Sequence, residues 1–366
     1  MALRILIVNN TLDHLAGTEL YVLELAKHLI KLGHKPIAYS TELGTIAQLL
    51  RAEGIPVTDD LNTIGTAPDI IHGHHHLETL SALLHFNTVP AIHYCHGSLP
   101  WQESPLRFPR IYKYVAVCDL SAERLMVEGG VSSENISFIL NFVDLQRFKP
   151  RKKSLPETPK RALVFSGFSN LERFVLIEKA CRLCGIDEVH KVGGQIGKTH
   201  QKPEDLLGEY DLVFAKGRAA LEALATGAAV ISCDGAGSMV TTQNLSRQRI
   251  ANFGLSERHY PYNVETIVEE IKQYNCQDAE EVSRWIRANS AKEGIIEEII
   301  KLYYSAIEAH RKNKSNDIML EQKAVSAYLR WVRTHLVKDI LYHLPPKPGL
   351  LSAAKKSIKK LIKKII

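Results

Sequence analysis

Between Tyr210 and Gly237 the chain reads as strand, tight turn, small-residue helix and second strand, an order few architectures accept. Leu212, Val213 and Phe214 make a short buried strand, Gly217 lets the backbone turn, and Ala219 to Ala225 form a helix with a thin apolar face. Gly227 then supplies the left-handed residue on which helices commonly end, before the strand from Ala228 to Ser232. Strands joined through such a helix run parallel. In a parallel sheet, ligands sit beyond the carboxyl ends of the strands. Arg218 and the backbone amides at the helix start favour an anion there, such as a pyrophosphate. Glu222, one turn further in, can accept two hydroxyl hydrogen bonds, as from a ribose. A small-residue helix with one Glu also fits plain packing.

The same alternation fills most of the chain. An apolar strand from Arg4 to Asn9 is followed by a helix with Leu20, Leu23, Ala26, Leu29 and Ile30 at spacings of three and four, closed by Gly33, and then by a strand from Lys35 to Ser40. Further strands and helices alternate as far as residue 139, and residues 149–160 combine Pro150, Pro156 and Pro159 with lysines in a linker composition. A second alternating set starts at Arg161. The expected organisation is an α/β chain of two doubly wound, Rossmann-like domains facing a cleft, over 1–150 and 161–290, with a linker over 151–160, a helix over 291–312 and a basic helical tail over 313–366.

Several classes are set aside on composition. The 366 residues, 45% hydrophobic, suffice for two ordinary cores. No apolar run approaches the ~20 residues of a membrane span, and the amino terminus is too short and wrongly flanked for a signal peptide. The six cysteines are scattered through apolar segments, as suits a reducing cytosol, and Cys181 and Cys184 lack the second pair that a zinc site needs. The first helix start, Ala16-Gly17-Thr18-Glu19, lacks the Gly-x-Gly-x-x-Gly of a nicotinamide enzyme. The four histidines of Pro68-Asp-Ile-Ile-His-Gly-His-His-His76 alternate along a strand end and cannot all converge, so no metal is expected.

These segments together resemble family-4 type glycosyltransferases of the GT-B fold, over roughly residues 3–310. Leu221-Glu-Ala-Leu-Ala-Thr-Gly227 is similar to the family's nucleotide-binding segment, and Ala16-Gly17-Thr18-Glu19 resembles its Gly-Gly-x-Glu, with Ala16 in place of the first glycine. Pro90-Ala-Ile-His-Tyr-Cys-His-Gly97 resembles the strand whose His-Gly brings a cleft histidine near the donor sugar, which singles out His96 over His93. Ile139 to Pro150, with Asn141, Val143, Asp144, Phe148 and Pro150, is similar to the segment that leaves the first domain.

The resemblance implies transfer of a sugar from a nucleoside diphosphate-sugar to a lipid-linked or oligosaccharide acceptor, with retention of configuration and no metal or other cofactor. It makes His96 and Glu222 the catalytic candidates, and Gly17, Arg173, Lys216, Arg218, Glu222, Gly235 and Gly237 the donor-binding ones. Two departures stand out. Phe214 occupies the place of the carboxylate that usually precedes Glu222 by eight positions, and Phe168 replaces an arginine that grips the diphosphate. Arg173 keeps the second cation, and Lys216 and Arg218 are placed to restore the lost charge. The departures leave open a non-catalytic sugar-nucleotide or glycan-binding protein, and the two-domain fold is shared by nucleotide-sugar epimerases.

The tail falls outside the resemblance. From Arg311 onward there are 14 Lys and Arg against 3 Asp and Glu. Over residues 350–366, Leu350, Leu351, Ile358, Leu361, Ile362 and Ile365 share one helical face and six lysines the other, the pattern of a helix lying on an anionic membrane surface. Docking on the acidic body is the competing expectation; nucleic acid is disfavoured by the lack of interleaved aromatics. A cytoplasmic protein attached peripherally to the inner face of the membrane is expected.

Overall fold

The computed structural model describes residues 2–167, 171–193, 202–258, 261–313 and 318–343. Phe168, Gly194 and the amphipathic segment 350–366 lie outside the described residues.

The first half is wound around a seven-stranded sheet. In chain order its elements are β1 (Arg4–Val8), β2 (Thr11–Leu12), α1 (Gly17–Lys31), β3 (Lys35–Tyr39), β4 (Glu42–Leu43), α2 (Thr45–Ala52), β5 (Val57–Thr58), β6 (Ile70–Gly73), α3 (His76–His85), β7 (Ala91–Cys95), β8 (Ile111–Ala116), α4 (Asp119–Val127) and β9 (Ile136–Phe138). The strand order is β5-β3-β1-β6-β7-β8-β9, every pairing parallel, while β2 and β4 form a separate two-stranded ribbon. The continuous apolar character of β1, with Ile5, Leu6, Ile7 and Val8 fully buried, is what a strand covered on both faces requires. The order reverses between β1 and β6, which places a ligand-binding switch point at their carboxyl ends.

The second half comprises β10 (Arg161–Phe165), α5 (Leu171–Leu183), β11 (Glu188–Val192), α6 (Pro203–Leu207), β12 (Leu212–Phe214), α7 (Gly217–Thr226), β13 (Ala229–Ile231), α8 (Leu245–Ile250), α9 (Val264–Ile271), α10 (Cys276–Asn289) and α11 (Lys292–Lys312). Its four strands are again parallel, in the order β11-β10-β12-β13, with a switch point between β10 and β12. Gly227 ends α7 at φ +92°, the left-handed conformation expected of it.

The chain returns to the first sheet at the end. The Val143 amide donates to the Ser290 carbonyl at 2.9 Å, the Lys292 amide donates to the Val143 carbonyl at 3.1 Å, and the Lys292 ammonium pairs with Asp144. From that anchor α11 buries Ile296, Ile299, Tyr303 and Ala306 in the core shared by β1 and α1. Complete burial of an isoleucine is worth ~2 kcal/mol, so this face alone holds the return.

The helix α12 (Ile318–His343) belongs to a separate unit, residues 317–366. Ile318, Met319, Leu320 and Leu329 are exposed on it, and Tyr328 stacks on Trp331 with ring centres 6.0 Å apart. No described helix is long and apolar enough to cross a membrane.

Candidate active site between the two sheets

On the second sheet, the turn from β12 into α7 gathers positive charge. Lys216 is the residue before the helix, and its ammonium lies 3.0 Å from a carboxylate oxygen of Asp234, which is fully buried. Cys233 and Asp234 both adopt left-handed backbone, at φ +50° and +55°, strain that a loop tolerates only where its surroundings over-determine it. Arg173 of α5 lies over the Tyr262 ring at 5.6 Å. Burial pushes the Cys233 thiol up and Asp234 adds to this, while Lys216, Arg173 and Arg258 pull it back. Lys216, Arg173 and Arg258 thus gather positive charge about Cys233 and Tyr262 at the carboxyl ends of the strands, which suits an anionic ligand.

The backbone there is less open than the glycine spacing implies. The Gly217 amide donates to the Asn252 carbonyl at 3.0 Å, and the Gly235 and Gly237 amides both turn back onto the Ser232 carbonyl, at 3.0 and 3.1 Å. The expected amide contacts from these positions are therefore met within the protein. Phe214 is fully buried, with its ring 3.1 Å from where a Cβ on Gly235 would stand. It is a core residue, and no acidic side chain occupies the position eight before Glu222.

Arg218 and Glu222 project from α7 toward the first sheet. Arg218 Nη2 donates to Glu24 of α1 at 2.7 Å and to Glu222 at 3.4 Å, and Arg147 lies 3.5 Å from Glu24 and 2.8 Å from Glu204. Arg218 Nη1 is buried without a hydrogen-bond partner, and the guanidinium lies 5.7 Å from the centre of the Phe142 ring. Burial pushes Glu222 up to about 7, against the pull of Arg218. Glu24 and Arg147 carry no sequence signal, because each reads as an ordinary surface charge until the chain brings them beside Arg218.

On the first sheet, His96 follows β7. Its Nε2 lies 2.7 Å from His74 Nδ1, and its ring is 5.1 Å from Tyr21 and 5.5 Å from Tyr94. His74 Nε2 is buried without a partner. An unpaired acceptor is tolerated better than an unpaired N–H, so His74 donates from Nδ1 and His96 carries its own proton on Nδ1. Burial, then the charge of Arg218, pushes His96 down to about 3, so the ring is neutral and serves as a hydrogen-bond donor. Gly17 opens α1, and a Cβ there would meet nothing within 4 Å. The other histidines of the strand ends turn inward: His72 bonds the Tyr303 hydroxyl, and His76 Nε2 meets the Trp101 carbonyl at 3.1 Å. Among the described residues, no three His, Cys, Asp or Glu side chains are arranged to hold a metal.

Two all-parallel sheets whose carboxyl ends meet at one seam, with a cation cluster on one side and a neutral histidine on the other, have the architecture of the GT-B fold. In fold the chain is similar to a glycosyltransferase from Rickettsia africae ESF-5, with a TM-score of 0.62 at 16% identity over 86% of this chain and 100% of that one. It is also similar to HepE from Anabaena, solved in complex with UDP and glucose, at 0.58 and 16% over 83% and 100%. A putative UDP-N-acetylglucosamine 2-epimerase from Listeria monocytogenes shares the fold at 0.50 and 14% over 86% and 98%. No curated protein matches in sequence. Residues 48–147 match the model of Glycosyltransferase Family 4.

Proposed function

We propose that the protein transfers a sugar from a nucleoside diphosphate-sugar to a lipid-linked or cell-surface glycan at a membrane, with retention of configuration and without a metal. The observation that carries this reading is the group of cations at the second switch point, where Lys216 pairs with Asp234 and Arg173 and Arg258 act on the neighbouring Cys233 and Tyr262. The departing diphosphate needs cationic stabilisation, and these side chains supply it from the donor side. Glu222 accepts from the ribose, Arg218 offers its Nη1 to the sugar-phosphate, and His96 donates from the opposite sheet. Residues 313–366 bring the enzyme to an anionic lipid surface.

Binding without turnover is the second reading, and Phe214 favours it, because a core aromatic replaces the carboxylate expected beside the donor sugar. The two separate cleanly. Purified protein is incubated with UDP-, GDP- and ADP-sugars and membrane lipid extract, and nucleoside diphosphate release is followed against Glu222→Ala. Acceptor-dependent release that the variant loses supports transfer; donor binding with no release supports the silent protein, and release without any acceptor product points to epimerase-like chemistry.

A further inference from the structure

The loop after β7 is tied from inside by two opposite charges. Glu103, buried in the 3-10 turn Trp101–Glu103, accepts the His96 amide at 2.5 Å and the Gly97 amide at 2.8 Å through the single oxygen Oε2. Arg124 of α4 takes carbonyls instead: Nη1 donates to Gly97 at 3.1 Å and to Pro100 at 2.9 Å, while Nη2 donates to the Ser104 hydroxyl at 2.9 Å. Side chains rather than a ladder therefore hold these backbone groups. An unpaired buried amide costs about 1–3 kcal/mol, and amides bonded to a carboxylate are held more strongly than amides bonded to a neutral acceptor.

The place is informative. These two amides stand beyond the carboxyl end of a parallel strand, where backbone donors otherwise meet a ligand. Here the chain fills the position with its own carboxylate, although burial opposes the charge and pushes Glu103 up to about 7 against the two amides and Arg124. What this arrangement secures is the backbone of His96, whose ring is already confined by Tyr21, Tyr94 and His74.

We propose that Glu103 is a positioning residue for sugar transfer: by accepting the His96 and Gly97 amides it holds the His96 imidazole at the seam, without touching substrate. The proposal rests on the reading of His96 as a seam-lining group of the transferase. Geometry, more than charge, is what Glu103 contributes. Gln keeps an oxygen in reach of both amides, Ala removes it, and Asp keeps the charge but falls one methylene short.

The test compares Glu103→Gln, Glu103→Ala, Glu103→Asp and His96→Ala in the full chain. Nucleoside diphosphate release from UDP-, GDP- and ADP-glucose with lipid extract is measured beside UDP binding and thermal unfolding. The His96 ring resonances give a readout that needs no donor. Ala and Asp are expected to lower kcat about 10²-fold, as a displacement near 1 Å does, with donor KM and UDP affinity changed less than about twofold. In both, the His96 ring resonances move; in Gln they stay, and kcat remains within about threefold of wild type. Should Ala fail to fold, the contrast of Asp with Gln carries the test. Full kcat in Ala and Asp, unmoved His96 resonances, a Gln variant as inactive as Ala, or a loss of UDP binding in step with stability would each overturn the assignment. Wild-type turnover in His96→Ala would instead overturn the reading of His96, and the role of Glu103 with it.

Discussion

Arg218 donates to Glu24 at 2.7 Å, and this one bond ties helix α7 of the second sheet to helix α1 of the first. It belongs to a set in which Glu24, Glu204 and Glu222 face Arg147 and Arg218, with Arg147 and Glu204 partly exposed and the other three buried. Three carboxylates against two guanidiniums leave one negative charge in excess. Glu222, pushed up to about 7, is where a proton makes up the difference. The seam between the sheets is thus charged, dry and nearly balanced, and its balance depends on one arginine.

Arg218→Met is accordingly expected to cost about 3–5 kcal/mol in urea unfolding, because Glu222 loses its paired cation and Glu24 keeps only the more distant Arg147. Adding Glu24→Gln returns part of that loss, since the stranded charge is removed with its partner. A single variant within about 1 kcal/mol of wild type would show that the seam is solvated in solution.

Acid should unfold the protein earlier than its carboxylates alone suggest. Burial lowers the pKa of His72, His74, His75, His76, His93 and His96, to about 3 for His75, His93 and His96 and about 4 for His76. A histidine with a depressed folded value binds its proton more readily unfolded, so stability falls as pH drops below about 6.5. Glu103 and Glu222 act oppositely: their raised values stabilise the folded state below about 4.5, and that contribution is lost as pH rises through about 7. His28 and His34 are lowered by burial too and Glu78 is raised by it, so the lowered histidines outnumber the raised carboxylates and acidification lowers stability on balance. The acid midpoint, read by tryptophan fluorescence, is expected above about pH 4, and His93→Leu moves it lower. An unfolding midpoint below about pH 4 would rule this account out.

Periodicity made the two sheets legible. Apolar runs of strand length alternating with helical spacing imply parallel strands, and Gly227 marked the end of α7 at its actual residue. The seam was not legible in the same way. Glu24 lies among Leu23 and Leu25 with the look of a solvent-facing charge, and its partner is 194 positions away. Glu103 sits in a polar loop where nothing in the spacing announces two amides waiting for it. Asp234 follows a strand like any turn residue, and only its left-handed backbone and its pairing with Lys216 reveal a fixed position. His72 and His93 alternate with apolar residues as cleft-lining groups would. His72 is a core residue because α11 returns over the sheet and brings Tyr303 to it, and His93, on the opposite face of β7, is buried beside Tyr114.

The proposed diphosphate contacts divide between a cation poised on one carboxylate, Lys216, and one shared by two, Arg218. Lys216→Ala or Arg173→Ala is expected to weaken UDP binding about tenfold in titration calorimetry, roughly the 1.4 kcal/mol of one exposed phosphate contact. Arg218→Met, whose charge is shared with Glu24 and Glu222 so that Nη1 alone is offered to the ligand, should weaken UDP binding about threefold, less than the loss of Lys216 or Arg173, even as stability falls. The reverse order of effects would move the diphosphate from the second switch point to the seam.

Gly17 separates a binding role from a folding one. Its backbone is not left-handed, and an added Cβ meets nothing within 4 Å, so Gly17→Ala carries no steric penalty in the folded chain. Alanine at a helix start also restricts the unfolded chain, so stability should stay level or rise by up to ~1 kcal/mol. If that open space is where donor or acceptor meets the backbone of α1, the methyl group intrudes on the ligand alone. The expected outcome is an unchanged or raised melting temperature with kcat/KM lowered about tenfold or more. Equal activity in the two proteins would remove Gly17 from the site and leave it as the first residue of an ordinary helix.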